Sequence, residues 1–277
     1  MNNHSEYTLV IEAGRTELHY WKDLWRFREL FYFLSWRDIL VRYKQTAIGI
    51  AWSVIRPLLT MIVFTVVFGK LAKLPSEGVP YPILVYVAML PWQFFANSLS
   101  ESSNSLISNA NMLSKVYFPR LIIPVSAVIV SLVDFLISSV ILVLLMLWYR
   151  FYPDWRVITL PFFLLLAFIT SLGFGLWLAA LNVKYRDFRY IVPFIVQFGL
   201  FISPVGFSSN VVPERWRLLY SLNPMAGVID GFRWATLGGS FHINWHGFLL
   251  SIVLSLSVFV FGLLYFRKTE RIFADVI

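Results

Sequence analysis

The sequence predicts an all-α membrane protein with six transmembrane helices, and three observations carry that prediction. Hydrophobic residues make up 58% of the 277 residues and charged residues only 14%, with a mean hydropathy of +0.71, outside the range of soluble domains. The apolar residues gather into six runs of roughly 20 residues, the length that crosses a hydrocarbon core about 30 Å thick. The segments between the runs hold the turn-forming residues and most of the charge.

Residues 1–27 are mixed and polar and are expected to lie in the cytoplasm. About 45 charged or amphipathic residues precede the first apolar run, without the short basic region and small-residue cleavage site of a signal peptide, so no targeting segment is expected to be removed. Over 28–45 the pattern turns helical: Ser35, Asp38, Arg42 and Gln45 share one face, opposite Leu30, Phe33, Leu34, Leu40 and Val41. Rich in Trp and Arg, this segment reads as an amphipathic helix in the membrane interface, with an ordinary helix packed on the membrane domain as the alternative.

Residues 46–277 form a single membrane domain. The first span is expected over 47–71 and closes in LPSEGVPYP, residues 74–82; the second covers 83–99. A polar Ser/Asn-rich insert follows, SNSLISNANMLSKVYFPR over 103–120. Leu106, Ala110, Leu113 and Tyr117 recur there at helical spacing, which predicts a short helix with one narrow apolar stripe, closed by Lys115, Pro119 and Arg120. The third span is 121–147, with the intramembrane acid Asp134, and the fourth is 157–181, where Gly173, Gly175 and Ala179 permit close helix approach. Pro193, Gly199 and Pro204 interrupt the fifth, 191–212, and the sixth is 243–266.

Between the last two spans, residues 213–237 are too polar to cross and too apolar for a free loop. They divide into two short helices: Trp216, Leu219 and Tyr220 mark the first. The second starts with Asn223 as N-cap and Pro224 at the first helical position, shows Met225, Val228, Ile229 and Phe232 as its apolar face, and stops at Gly238-Gly239. A re-entrant hairpin and a plain cap on the bundle both fit this pattern. With both termini cytoplasmic, 16 of the 23 Lys and Arg residues fall inside, as the positive-inside rule requires. The basic balance therefore reports topology, and no nucleic-acid partner is expected.

Catalytic constellations are missing from the sequence. Gly69-Lys70 is followed by Leu71 and lacks the earlier Gly of a phosphate loop. His242 and His246 lack an accompanying carboxylate, so no metal site is assigned; Glu101 and Asp187 stand alone in opposite loops. Cys is absent, excluding disulfides and thiolate chemistry. For Asp134, hydrogen bonding to a neighbouring helix is favoured over proton relay, because no second acid or His lies near it. Arg42, Lys44 and Arg56 sit at a depth where cations meet a lipid diphosphate. Aromatic residues are 18% of the chain, and beyond the interfacial belts Trp52, Trp92, Phe94 and Phe95 are candidates to line a channel for a sliding sugar polymer.

Three stretches, RDILVRYKQTAIGIAWSVIRPLL at 37–59, LSKVYFPRLIIP at 113–124 and SLNPMAGVIDGFRW at 221–234, resemble the permease subunit of polysaccharide ABC exporters. The resemblance, above all to Wzm-type O-antigen permeases with teichoic acid and capsule permeases as relatives, runs from about residue 28 to the end. It implies a homodimer in the bacterial inner membrane that encloses a channel, needs no cofactor and docks two copies of a separate nucleotide-binding ATPase. It places a coupling helix at 102–115, with Leu106, Ala110, Leu113, Lys115 and Tyr117 as the contact to the ATPase. It makes 28–45 the interface helix and 213–222 with 224–237 the gate helices, carrying Trp216, Tyr220, Asn223, Pro224 and Phe232. The implied cargo is an undecaprenyl-diphosphate-linked polysaccharide such as O-antigen, the chain itself being no enzyme. A transporter of the same architecture for a small lipid or drug, and a membrane-embedded glycosyltransferase or polymerase, are the competing readings.

Overall fold

A computed structural model describes residues 17–44, 49–239 and 241–273, and these contain helices and no strand. Helix α1 spans Glu17–Arg26 and α2 Arg28–Lys44; Gln45, expected on the polar face of α2, lies outside the described residues. Helix α3, Gly49–Phe64, carries Pro57 inside it and continues as a π-helical stretch over Thr65–Leu71. The widened turn contains Gly69, where a Cβ would stand 2.8 Å from the ring of Tyr81.

Helix α4, Tyr81–Ser108, is the axis of the bundle. Its 28 residues give a rod of about 42 Å at 1.5 Å per residue, longer than the hydrocarbon core is thick. Every residue from Ile83 to Trp92 is buried, because the helix is ringed by α6 (Ile122–Trp148), α7 (Leu160–Lys184) and α10 (Pro224–Leu237). The expected second span is thus continuous with the first half of the polar insert. Ser103–Ser108 form its last turns, and the insert helix reduces to the single turn α5, Ala110–Leu113, beyond a break at Asn109. Ser and Asn do not stop the helix because their side chains bond back to its own carbonyls, Asn104 Nδ2 to Ser100 O at 2.9 Å and Ser105 Oγ to Ser102 O at 2.7 Å.

Small residues set the close helix crossings. A Cβ on Gly173 would lie 2.6 Å from the Phe259 backbone, and one on Gly175 would lie 2.6 Å from Ser102 Oγ. Helix α7 therefore meets α11, Trp245–Thr269, at backbone distance, and on its other side Gly175 makes room for the Ser102 side chain of α4.

Five helical segments are long and apolar enough to cross: Ala51–Leu71, Tyr81–Ser108, Ile122–Trp148, Trp155–Lys184 and Trp245–Thr269. The crossing expected over 191–212 is carried by a shorter helix, α8, Phe188–Ile202, about 22 Å long. It stops because Ser203 precedes Pro204, which disfavours helical backbone at Ser203; that residue is extended at φ −78°, ψ 151°. The chain then turns back through Ser209–Val211 into α9, Glu214–Tyr220. The caps of α10 follow the sequence: Asn223 accepts from the Met225 N–H at 3.0 Å, and Gly238 and Gly239 end the helix at positive φ.

Candidate functional site

Asp134 organises the main cavity. A carboxylate inside an apolar helix needs a partner, and α2 supplies two. Arg42 Nη1 donates to Asp134 Oδ2 at 2.7 Å, and the Tyr43 hydroxyl donates to Oδ1. The other arm of Arg42 reaches Glu101 on α4, so one guanidinium ties α2, α4 and α6 together. Asp134 is hydrogen-bonded to a neighbouring helix, as its isolation in the sequence led us to expect. Two carboxylates engage Arg42, which also borders the main cavity. The polar stripe of Ser35, Asp38 and Arg42 turns toward the bundle, while Tyr32, Phe33, Trp36, Leu40 and Val41 remain exposed on the opposite side.

Below this tie the ends and flanks of α2, α3, α4, α6 and α8 enclose a cavity of about 590 Å³. Arg56 lines it, with Ser53, Gln93, Asn97, Ser100 and Gln197; Lys44 does not. Arg56 has no carboxylate partner among the described residues, and its guanidinium lies 5.9 Å from the centroid of the Trp52 ring. Of the four expected aromatic lining residues, Trp52 offers an open face, being 51% exposed. Trp92 and Phe94 are buried and border the cavity. Phe95 is turned away, packed edge-on against Phe174 at 6.1 Å. The amides were overlooked in the sequence, although Gln93 and Asn97 at i, i+4 within an apolar run signal a polar face.

On the side expected to be cytoplasmic, the contact surface is rearranged. Leu106 is 0% exposed and Leu113 is buried, so these two residues of the expected stripe pack inward and dock the segment on the bundle. What remains outside is Ile107, Ser108, Asn111, Ser114, Lys115, Val116 and Tyr117, the last 61% exposed; Ala110 is half-buried. The segment is anchored just beyond this surface. Glu270 accepts the Arg120 backbone N–H at 3.0 Å and the Tyr20 hydroxyl at 3.3 Å. Burial pushes the Glu270 carboxyl above the usual carboxylate range, and the Arg120 N–H offsets part of that rise. The chain leaving the exposed surface is thereby joined to α1 and to the end of α11.

The pair α9 and α10 divides its expected gate residues between two environments. Most of α10 is buried against α4, α7 and α11, an embedded helix rather than a surface cap. Phe232 faces the core, edge-on to Phe135 at 6.0 Å. Trp216 is exposed on α9. The Tyr220 hydroxyl donates to Ile202 O at 2.8 Å and Asn223 Nδ2 to Ser203 Oγ at 2.8 Å, stitching the hairpin to the broken end of α8, and Pro224 is half-buried beside them. Arg233, 1% exposed, donates to Phe207 O at 2.8 Å and Val205 O at 3.1 Å. Backbone that leaves the helix within the bundle is thus satisfied by side chains, as burial requires. Arg233 was not singled out for this in the sequence.

Comparison with known proteins follows from this geometry. The chain is 28% identical over 215 residues to an O-antigen export system permease protein RfbA of Myxococcus xanthus, covering 76% of this chain and 82% of that one. Two proteins of the same name from Klebsiella pneumoniae are 28% identical over 243 residues and 26% identical over 251, each covering 87% of this chain and 92% of the relative. Residues 29–237 match the profile of the ABC-2 type transporter. That match takes in α2, the cavity, the exposed segment after α4 and the α9–α10 pair, and the chain belongs to the ABC-2 type transporter family.

Proposed function

We propose that this protein is the permease of an ATP-driven exporter that moves a polyprenyl-diphosphate-linked polysaccharide, such as O-antigen, outward across the bacterial inner membrane. The observation that carries the reading is the polar cavity among the membrane helices with Arg56 opening into it unopposed by a carboxylate. A guanidinium without a carboxylate partner is free to take a bidentate anion, and the diphosphate of a carrier lipid is such an anion. The names of the relatives, O-antigen export system permeases, support the same cargo. The working assembly is a homodimer with two copies of an ATPase subunit docked on the cytoplasmic side, where both termini lie. The exposed face of Ile107, Val116 and Tyr117 is the docking surface, and Lys115 lies beside it.

Two experiments test this. Arg56→Glu in protein reconstituted with its ATPase should lower stimulation of ATP hydrolysis by the lipid-linked glycan at least about tenfold, with unfolding temperature unchanged. Unaltered stimulation would remove Arg56 from the site, and sugar transfer by the permease alone would overturn the transport reading. Val116→Asp with Tyr117→Asp should abolish co-purification of the ATPase while the permease still folds. Leu106→Asp should instead prevent folding, since it buries an unpaired carboxylate; normal coupling in the Val116/Tyr117 variant would sink the assignment of that surface.

A further inference from the structure

Three primary amides border the cavity, Gln93 and Asn97 on α4 and Gln197 on α8. Gln93, Asn97 and Glu101 recur every fourth residue, so they line one face of α4 over about 12 Å. Glu101 at the end of the row is engaged by Arg42. The three amides are different: none makes a hydrogen bond to any described residue. Each carries two N–H donors and a carbonyl acceptor; Gln93 is half-buried and Asn97 and Gln197 are exposed, so all three are open to a molecule that enters the cavity.

The chemistry of that molecule follows from the donors and acceptors present. An anion calls for donors only and a metal cation for carboxylates, but a primary amide both gives and accepts, which matches hydroxyl groups that do the same. The cavity volume of about 590 Å³ lies within the roughly 300–1,000 Å³ typical of small-ligand sites. Trp52, half exposed beside Arg56, adds a flat apolar surface suited to the C–H face of a pyranose. Arg56 supplies the cation at one side of the same space.

We propose that Gln93, Asn97 and Gln197 form a hydroxyl-reading subsite for the sugar attached directly to the lipid diphosphate, with Arg56 on the phosphate side. The inference rests on the cargo reading above and adds to it: the cavity recognises the first sugar and not only the charged lipid. The permease then discriminates a loaded carrier from an empty one before ATP is spent.

The test uses the full-length protein in lipid nanodiscs and two probes, polyprenyl diphosphate and the same lipid bearing one N-acetylhexosamine, with binding followed by tryptophan fluorescence. The wild-type protein should bind the glycosylated lipid more tightly. Gln93→Leu, Asn97→Leu and Gln197→Leu should each weaken binding of the glycosylated lipid about three- to tenfold, the value of one hydrogen bond, and leave the bare lipid unaffected. If a Leu variant fails to reach the membrane, the Gln→Met change at 93 or 197 keeps length and removes the hydrogen bonds. Equal losses for both lipids would mean that the amides read the diphosphate, and unchanged affinities would mean that they read nothing; either result overturns the subsite alone. Wild-type protein that binds neither lipid overturns the cargo reading and the subsite with it.

Discussion

Replacing Arg233 with methionine is expected to destabilise the protein by about 2–4 kcal/mol, enough to deplete it from the membrane. Arg233 is buried on α10 and holds the carbonyls of Phe207 and Val205, which lie in the non-helical return after α8. Those carbonyls have left the helix ladder, so removing their donor orphans one buried and one partly buried acceptor, at about 1–3 kcal/mol for a fully buried one. Methionine relieves the cost of burying a guanidinium, which is why the net loss is smaller than the sum. Lysine at the same site presents a point charge instead of a fork and should give an intermediate result. Thermal unfolding of the detergent-solubilised variants measures this, and an unaltered transition for Arg233→Met would show that the return needs no clamp.

Asp134→Leu is the second large effect expected, at about 1–3 kcal/mol. Breaking a fully buried pair costs roughly 3–5 kcal/mol, but the Arg42 side chain is 29% exposed and keeps Glu101, so solvent screening lowers the figure. Loss of the tie frees the C-terminal end of α2 from α6. The measurable consequence is loss of a disulfide cross-link engineered between those two helices. Combining Asp134→Leu with Arg42→Met should recover most of the stability, because the pair is then replaced by apolar side chains. Simple additivity of the two single losses would show that they do not act as a pair.

What was legible beforehand were features written over short windows. The apolar runs returned as the crossing helices within a few residues, apart from the short α8 and from α4, which continues into the polar insert. The Asn223-Pro224 start and Gly238-Gly239 end of α10 are local backbone chemistry, and the structure reproduces both. Helical spacing also placed Leu106, Ala110, Leu113 and Tyr117 on one face; Leu106 and Leu113 pack inward, and Tyr117 stays exposed with Ile107 and Val116.

The sequence by itself determined that this chain is a helical membrane protein and where most of its helices run, because hydropathy and cap signals act over a turn or a span. Only the tertiary structure decided how the cations are partnered. Arg42 pairs with an acid 92 positions away and Arg233 with carbonyls 26 and 28 positions away, while Arg42 and Arg56 both border the cavity. It also decided that Phe95 and Phe232 belong to the packing and that Gln93, Asn97 and Gln197 share one space. The physical reason is that lipid is as apolar as a protein core. Hydrophobic pattern therefore cannot say which side of a crossing helix meets lipid and which meets protein, and long-range pairing of the few polar groups settles it.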